Sequence, residues 1–275
     1  MNKYLPKVIG FFINFMGVFS SKYAAQLAIK LFSSPQKGRV KPNESDYLSE
    51  AIQDDIICNG LIIKTYRWTG NKDTILLVHG WESNTFRWKD LIKLLTHLDY
   101  NVVALDAPAH GGSQGDTFNA IIYAEWINEV SKKFKPSAII GHSVGGMATV
   151  FSLYNYQLPF VKKTVLLGAP SNFKGVLSRY VNMMSYNNKV TKAIDQYILK
   201  HFNHLPEYFS ASNFSKEFKV KGLVIHDEKD KIIPYQDGLD FKKNYKNSEF
   251  ISTEGFGHGL KSETIYNHII HFLKT

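Results

Sequence analysis

The chain has 275 residues, of which 44% are hydrophobic, with a net charge of +9 and a single cysteine, Cys58. That length accommodates one large α/β domain with a sizeable core, and one cysteine excludes an intrachain disulfide. Only four of the 33 basic residues are arginine and the lysines are scattered, so the clustered basic face of a nucleic-acid binder is missing and no nucleic-acid partner is expected.

Residues 1–33 read as an amphipathic helical segment. Lys3 and Lys7 precede an apolar run from Val8 to Phe19, interrupted by Gly10, Asn14 and Gly17. Leu5, Val8, Phe12, Phe15, Met16 and Phe19 recur at helical spacing, and Ala24, Leu27, Ala28 and Leu31 continue the pattern. A run of twelve residues is too short to span a bilayer. Three readings stay open: packing on the body or a partner, peripheral membrane contact, and a signal or anchor. With the lone cysteine, this gives a cytoplasmic expectation, with membrane association as its variant.

Ser34 to Asn43 reads as a turn-rich connection. Ile52–Cys58 and Leu61–Trp68 flank Asn59-Gly60, a type I′ hairpin signal, and Cys58 is expected to pack in that hairpin. Short apolar runs then alternate with helical patterns. Strands are expected at 74–78, 101–105, 138–140, 164–167, 223–225 and 250–252. Helices are expected at 87–98, 118–134, from the end of the third of these strands to about 154, and at 237–244 and 264–273. Continuous apolar strands alternating with helices mark a parallel sheet covered on both faces. About residues 170–219 break the rhythm with helical, aromatic and methionine-rich sequence, read as a helical cap insertion.

The strand at 138–140 runs into Gly141-His142-Ser143-Val144-Gly145. Gly-x-Ser-x-Gly between a strand and a helix is a nucleophile elbow: a strained turn projects the serine hydroxyl, and the flanking glycines avoid Cβ collisions. Ser143 is therefore the candidate nucleophile. Such a serine needs a base and an orienting acid, and in an open parallel sheet these belong in loops at the carboxyl ends of strands. The strand at 223–225 ends in a loop carrying Asp227 and Asp230. The strand at 250–252 ends in Glu254-Gly255-Phe256-Gly257-His258, and the strand at 74–78 in His79-Gly80-Trp81. Serine, acid, histidine is the chain order of this architecture. No His, Cys, Asp or Glu cluster has metal spacing, and Gly111 to Gly115 fits neither nucleotide-binding glycine motif, so no cofactor or metal is expected.

These motifs, together with Asp106-Ala107-Pro108-Ala109-His110-Gly111-Gly112-Ser113, make residues 50–275 resemble the α/β-hydrolase superfamily, in its generic bacterial esterase- and lipase-like branch. Ala109 stands where such proteins more often carry glycine. The resemblance implies a mostly parallel sheet with an N-terminal antiparallel hairpin, helices on both faces and a helical cap. It implies a catalytic triad of Ser143, His258 and Asp230, with Asp227 the rival acid, and an oxyanion hole from the backbone N–H groups of Trp81 and Val144. His79 and His110 resemble structural loop histidines, and His142 a polar neighbour of the site. The implied activity is a serine esterase acting through an acyl-enzyme on a small, apolar acyl substrate. Peptidase, acyltransferase and carbon–carbon bond hydrolase chemistry, and non-catalytic binding, are the alternatives. Arg179, within the expected cap, meets either a substrate carboxylate or water.

Overall fold

A computed structural model describes residues 4–275; Lys3, counted above in the basic start, lies outside them. In chain order the elements are α1 (Leu5–Phe19), α2 (Ser21–Ser33), α3 (Pro42–Ser49), β1 (Ile52–Cys58), β2 (Leu61–Trp68), β3 (Lys72–Val78), α4 (Lys89–His97), β4 (Tyr100–Leu105), α5 (Ala120–Phe134), β5 (Ala138–His142), α6 (Val144–Tyr156), β6 (Lys163–Leu167), α7 (Phe173–Met184), α8 (Asn188–Phe202), α9 (Ala211–Phe214), β7 (Lys221–Asp227), α10 (Tyr235–Asn244), β8 (Ser248–Thr253) and α11 (Glu263–Lys274). The chain divides into two compact units, residues 35–171 with 211–275, and residues 1–34 with 172–210.

The larger unit holds one eight-stranded sheet in the order β1-β2-β4-β3-β5-β6-β7-β8. β1, β2 and β4 pair antiparallel, and every other neighbour pair is parallel. Asn59 and Gly60 both have positive φ, 49° and 77°, as a type I′ turn requires, and Cys58 is buried beside them. The central strands carry unbroken apolar runs, such as Ile75–Val78, Val102–Leu105 and Val165–Leu167, because both faces are covered. Ile75 and Leu77 of β3 face a core shared with Leu91 and Leu95 of α4 and Ile269 and Phe272 of α11. Leu76 and Val78, one residue out of phase, face Trp126 and Val130 of α5 and Ala148 of α6. The two-residue period of a strand thus serves two cores at once.

The turn-rich connection expected at 34–43 gives way to an eight-residue helix that periodicity did not reveal. Pro42 occupies its first turn, where the missing N–H costs nothing, and the Glu44 carboxylate accepts from the Lys41 N–H at 3.0 Å.

In the smaller unit, α1 and α2 pack with α7 and α8. The face that α1 buries is not its phenylalanine stripe. Its buried residues are Gly10, Ile13 and Gly17, and the aromatic positions lie outside. Size decides this: a Cβ on Gly10 would collide with the Met184 carbonyl, and one on Gly17 would come within 2.8 Å of Val190 Cγ2. Two glycines let the backbones close to a distance that a phenylalanine face would prevent. Asn14, between them, donates from Nδ2 to the Ser185 carbonyl and accepts from the Asn187 N–H, both at 2.9 Å. The residues that interrupt the apolar run are therefore the ones that pack. Arg179 lies half-buried on α7 of this unit.

Candidate active site

Ser143 stands at the carboxyl end of β5, immediately before α6, with φ 54° and ψ −130°. A non-glycine residue there is strained, and the strain survives because the surroundings over-determine it. The Ser143 N–H donates to the Leu167 carbonyl of β6 at 2.8 Å. A Cβ on Gly141 would lie 2.6 Å from Gly146 Cα, and one on Gly145 would strike the Val78 and His79 carbonyls. Neither position admits a side chain, and together they fix the turn that presents the hydroxyl.

Ser143 Oγ lies 3.0 Å from His258 Nε2, and His258 Nδ1 lies 2.7 Å from Asp230 Oδ2. Three residues separated by up to 115 positions in the chain are thus joined by two hydrogen bonds. Ser143 is 5% exposed and Asp230 9%. Burial by itself would raise the Asp230 carboxyl; hydrogen bonds from His258, Ile233 and Ile232 outweigh it and hold the group below its ordinary value, ionised. The two backbone donors both meet Oδ1, at 2.8 and 3.0 Å, which leaves Oδ2 for the imidazole.

Asp227, the rival acid, is occupied elsewhere. Its carboxylate accepts from Thr253 Oγ1 and from the N–H groups of Phe256 and Lys229, at 2.9 to 3.0 Å. Burial raises this carboxyl too, and the backbone and Thr253 donors more than reverse it. Asp227 stitches the loop after β7 to the loop after β8, which brings Asp230 and His258 into register.

His142, adjacent to the serine, donates from Nε2 to the His258 carbonyl at 2.8 Å. The two rings are 4.8 Å apart, and burial pushes the His142 imidazole well below its usual value, so the ring is neutral. Arg87, which sequence reasoning treated only as the start of a helix, donates to the Gly259 carbonyl at 2.9 Å with its guanidinium 4.4 Å from the centroid of the Trp88 ring. The histidine loop is therefore held at the consecutive carbonyls of His258 and Gly259. A lone arginine at a helix start carries no signal that would single it out in sequence.

Trp81 lies in the turn after β3, and the Val144 N–H opens α6 ahead of the helix's own hydrogen-bond ladder. A Cβ on Gly80 would lie 2.9 Å from Ser143 Cβ, so the His79-Gly80-Trp81 turn abuts the elbow directly. His79 braces that turn: Nδ1 donates to the Gly80 carbonyl at 2.8 Å and Nε2 accepts from the Ala107 N–H at 3.0 Å. His110 repeats the device, donating to the Pro108 carbonyl at 2.7 Å and accepting from the Glu82 N–H at 2.9 Å. Burial lowers both imidazoles to about 4, and both are neutral struts. Asp106 completes the brace, accepting from the Thr85 and Gly112 N–H groups and from the Tyr66 hydroxyl. Among the described residues, no three His, Cys, Asp or Glu side chains form a group that could hold a metal ion.

The chain is similar to several known proteins at low sequence identity. An uncharacterised hydrolase of Bacillus subtilis, YugF, is 21% identical, over 74% of this chain and 90% of that protein. The (R)-3-hydroxydecanoyl-ACP:CoA transacylase of Pseudomonas putida is 22% identical, over 72% of this chain and 80% of its own. Among solved structures, the esterase EaEST from Exiguobacterium antarcticum superposes with a TM-score of 0.65 at 18% identity, covering 82% of this chain and all of that one; at that identity the likeness speaks to the fold alone. The family model described as "Alpha/beta hydrolase family" matches residues 75–242, from β3 through the elbow to α10. The chain belongs to the alpha/beta hydrolase family.

Proposed function

We propose that this protein is a serine hydrolase that cleaves an ester or related acyl bond through an acyl-enzyme, with Ser143, His258 and Asp230 as its triad. The observation that carries the reading is the unbroken chain of hydrogen bonds from Asp230 through His258 to a serine on a strained elbow. Ser143 Oγ attacks the substrate carbonyl while His258 Nε2 takes the hydroxyl proton. Asp230 fixes the Nδ1–H tautomer and stabilises the imidazolium. The tetrahedral oxyanion is held by the Trp81 and Val144 N–H groups, where losing one such donor typically costs about 3 kcal/mol of transition-state stabilisation. His258 then gives its proton to the leaving alcohol. Water, deprotonated by the same imidazole, attacks the acyl-enzyme and releases the acid.

An apolar acyl group is assigned on composition. Residues 170–219 are rich in phenylalanine, tyrosine and methionine, side-chain types that suit apolar acyl chains. The transacylase relative favours a second reading, in which a thiol replaces water as the acceptor. Hydrolysis of p-nitrophenyl esters of increasing chain length, with and without coenzyme A, separates the two. Release of free acid that added thiol leaves unchanged supports hydrolysis. Ser143→Ala is expected to lower turnover by at least about 10⁴-fold, with its thermal transition unchanged; a variant that keeps its activity refutes the assignment.

A further inference from the structure

The outer face of α1 has the wrong chemistry for water. Phe11, Phe12, Phe15, Val18 and Phe19 are 57% to 78% exposed, and Leu5 and Val8 extend the stripe. Phe15 and Phe19 make an edge-on pair with ring centroids 5.4 Å apart. A contiguous aromatic stripe of this kind on a soluble protein marks a surface built to be covered. The opposite face of the same helix is spent within its own unit, through Gly10, Ile13, Gly17 and the two Asn14 hydrogen bonds. The orientation is therefore fixed by packing.

We propose that this face of α1 docks on an anionic phospholipid surface, with the helix lying in the plane of the interface. Charge identifies the occupant. Residues 1–43 contain no aspartate or glutamate. The unit formed by residues 1–34 and 172–210 carries nine lysines and arginines against Asp195 and Glu207, so seven of the nine net positive charges of the chain fall on 73 of its 275 residues. Lys7 and Lys22 are exposed at the two ends of the aromatic stripe. Such a surface repels a second copy of itself, while aromatic rings flanked by lysines match the headgroup region of an anionic leaflet. Length sets the mode. Fifteen residues of helix reach about 22 Å, short of the roughly 30 Å hydrocarbon core, and among the described residues no helix is long and apolar enough to cross a membrane. The inference stands on α1 and its unit alone and is independent of the role of Ser143.

The test is flotation of the full chain with vesicles of phosphatidylcholine, and of phosphatidylcholine with about 30% phosphatidylglycerol. The full chain is expected to float with the anionic vesicles, more weakly with the neutral ones, and less as salt rises. A variant carrying Phe11→Ser, Phe15→Ser and Phe19→Ser alters only exposed side chains, so its circular dichroism and thermal transition should match those of the parent. Its binding should fall by about a thousandfold, each of the three rings contributing about tenfold. Lys7→Glu with Lys22→Glu should abolish the preference for anionic over neutral vesicles. Absence of flotation of the full chain overturns the proposal, as does equal binding by the folded serine variant. A light-scattering mass that falls to the monomer value in the serine variant, without vesicle binding by the parent, assigns the face to a second copy instead and equally overturns it.

Discussion

The proposed triad of Ser143, His258 and Asp230 depends on neighbours outside it. His142 is the clearest of these. Its Nε2–H is spent on the His258 carbonyl, which under the proposed mechanism makes it a positioning residue for the base. His142→Ala removes one buried hydrogen bond, worth about 1 to 1.5 kcal/mol, and should lower kcat about tenfold with KM nearly unchanged. His142→Gln, whose amide can donate to the same carbonyl, should recover most of the loss. A purely structural role would instead lower the thermal transition of both variants with kcat per folded molecule preserved. Asp227 acts one step further out, through the loops that carry the proposed acid and base. Asp227→Asn leaves the shape and removes the charge, and should lower both stability and kcat; unchanged values would show that the two loops keep their register without it.

At the scale of elements, the close approach of β5, α6 and the turn after β3 sets the elbow. Gly145→Ala decides whether that approach is real. Helix propensity alone would make it stabilising by about 1 kcal/mol, because Gly145 lies in the first turn of α6. Collision of the new methyl with the Val78 and His79 carbonyls should instead cost about 3 kcal/mol or more. A denaturant midpoint below that of the parent follows from the structure; a rise would contradict it. The strands and the motifs at their carboxyl ends were legible in the sequence because both signals are local: continuous apolar runs, and glycines at fixed offsets from a serine. The face that α1 buries was not legible. Periodicity finds an apolar stripe but is silent on which side is packed, and here two glycines and an asparagine outcompete four phenylalanines by permitting close approach. The α3 helix was hidden for a related reason: with eight residues and a capping carboxylate, it owes its existence to its ends rather than to an apolar face.

For the molecule as a whole, pH sensitivity should come first from buried histidines outside the proposed triad. His79 and His110 are lowered by burial to about 4, against an unfolded value near 6.5. The unfolded chain therefore takes up protons that the folded chain refuses. Stability is fully present above about pH 6.5 and is lost between there and about 4, by roughly 1.4 kcal/mol per pH unit for each ring. Asp227 and Asp230, held below the ordinary carboxylate value, add their own loss below that window. Thermal transitions measured across this range should fall steeply, and His110→Gln should flatten the slope. An equally steep profile in that variant would remove His110 from the account.

The most direct measurement is reaction of the folded full chain with a fluorophosphonate, followed by mass mapping of the adduct. The hydrogen-bonded chain from Asp230 to Ser143 predicts a single adduct on Ser143, formed at a rate that His258→Gln lowers by about 10³-fold or more. Folded protein that stays unlabelled, or an adduct on any other residue, would contradict the assignment of Ser143 as an activated nucleophile.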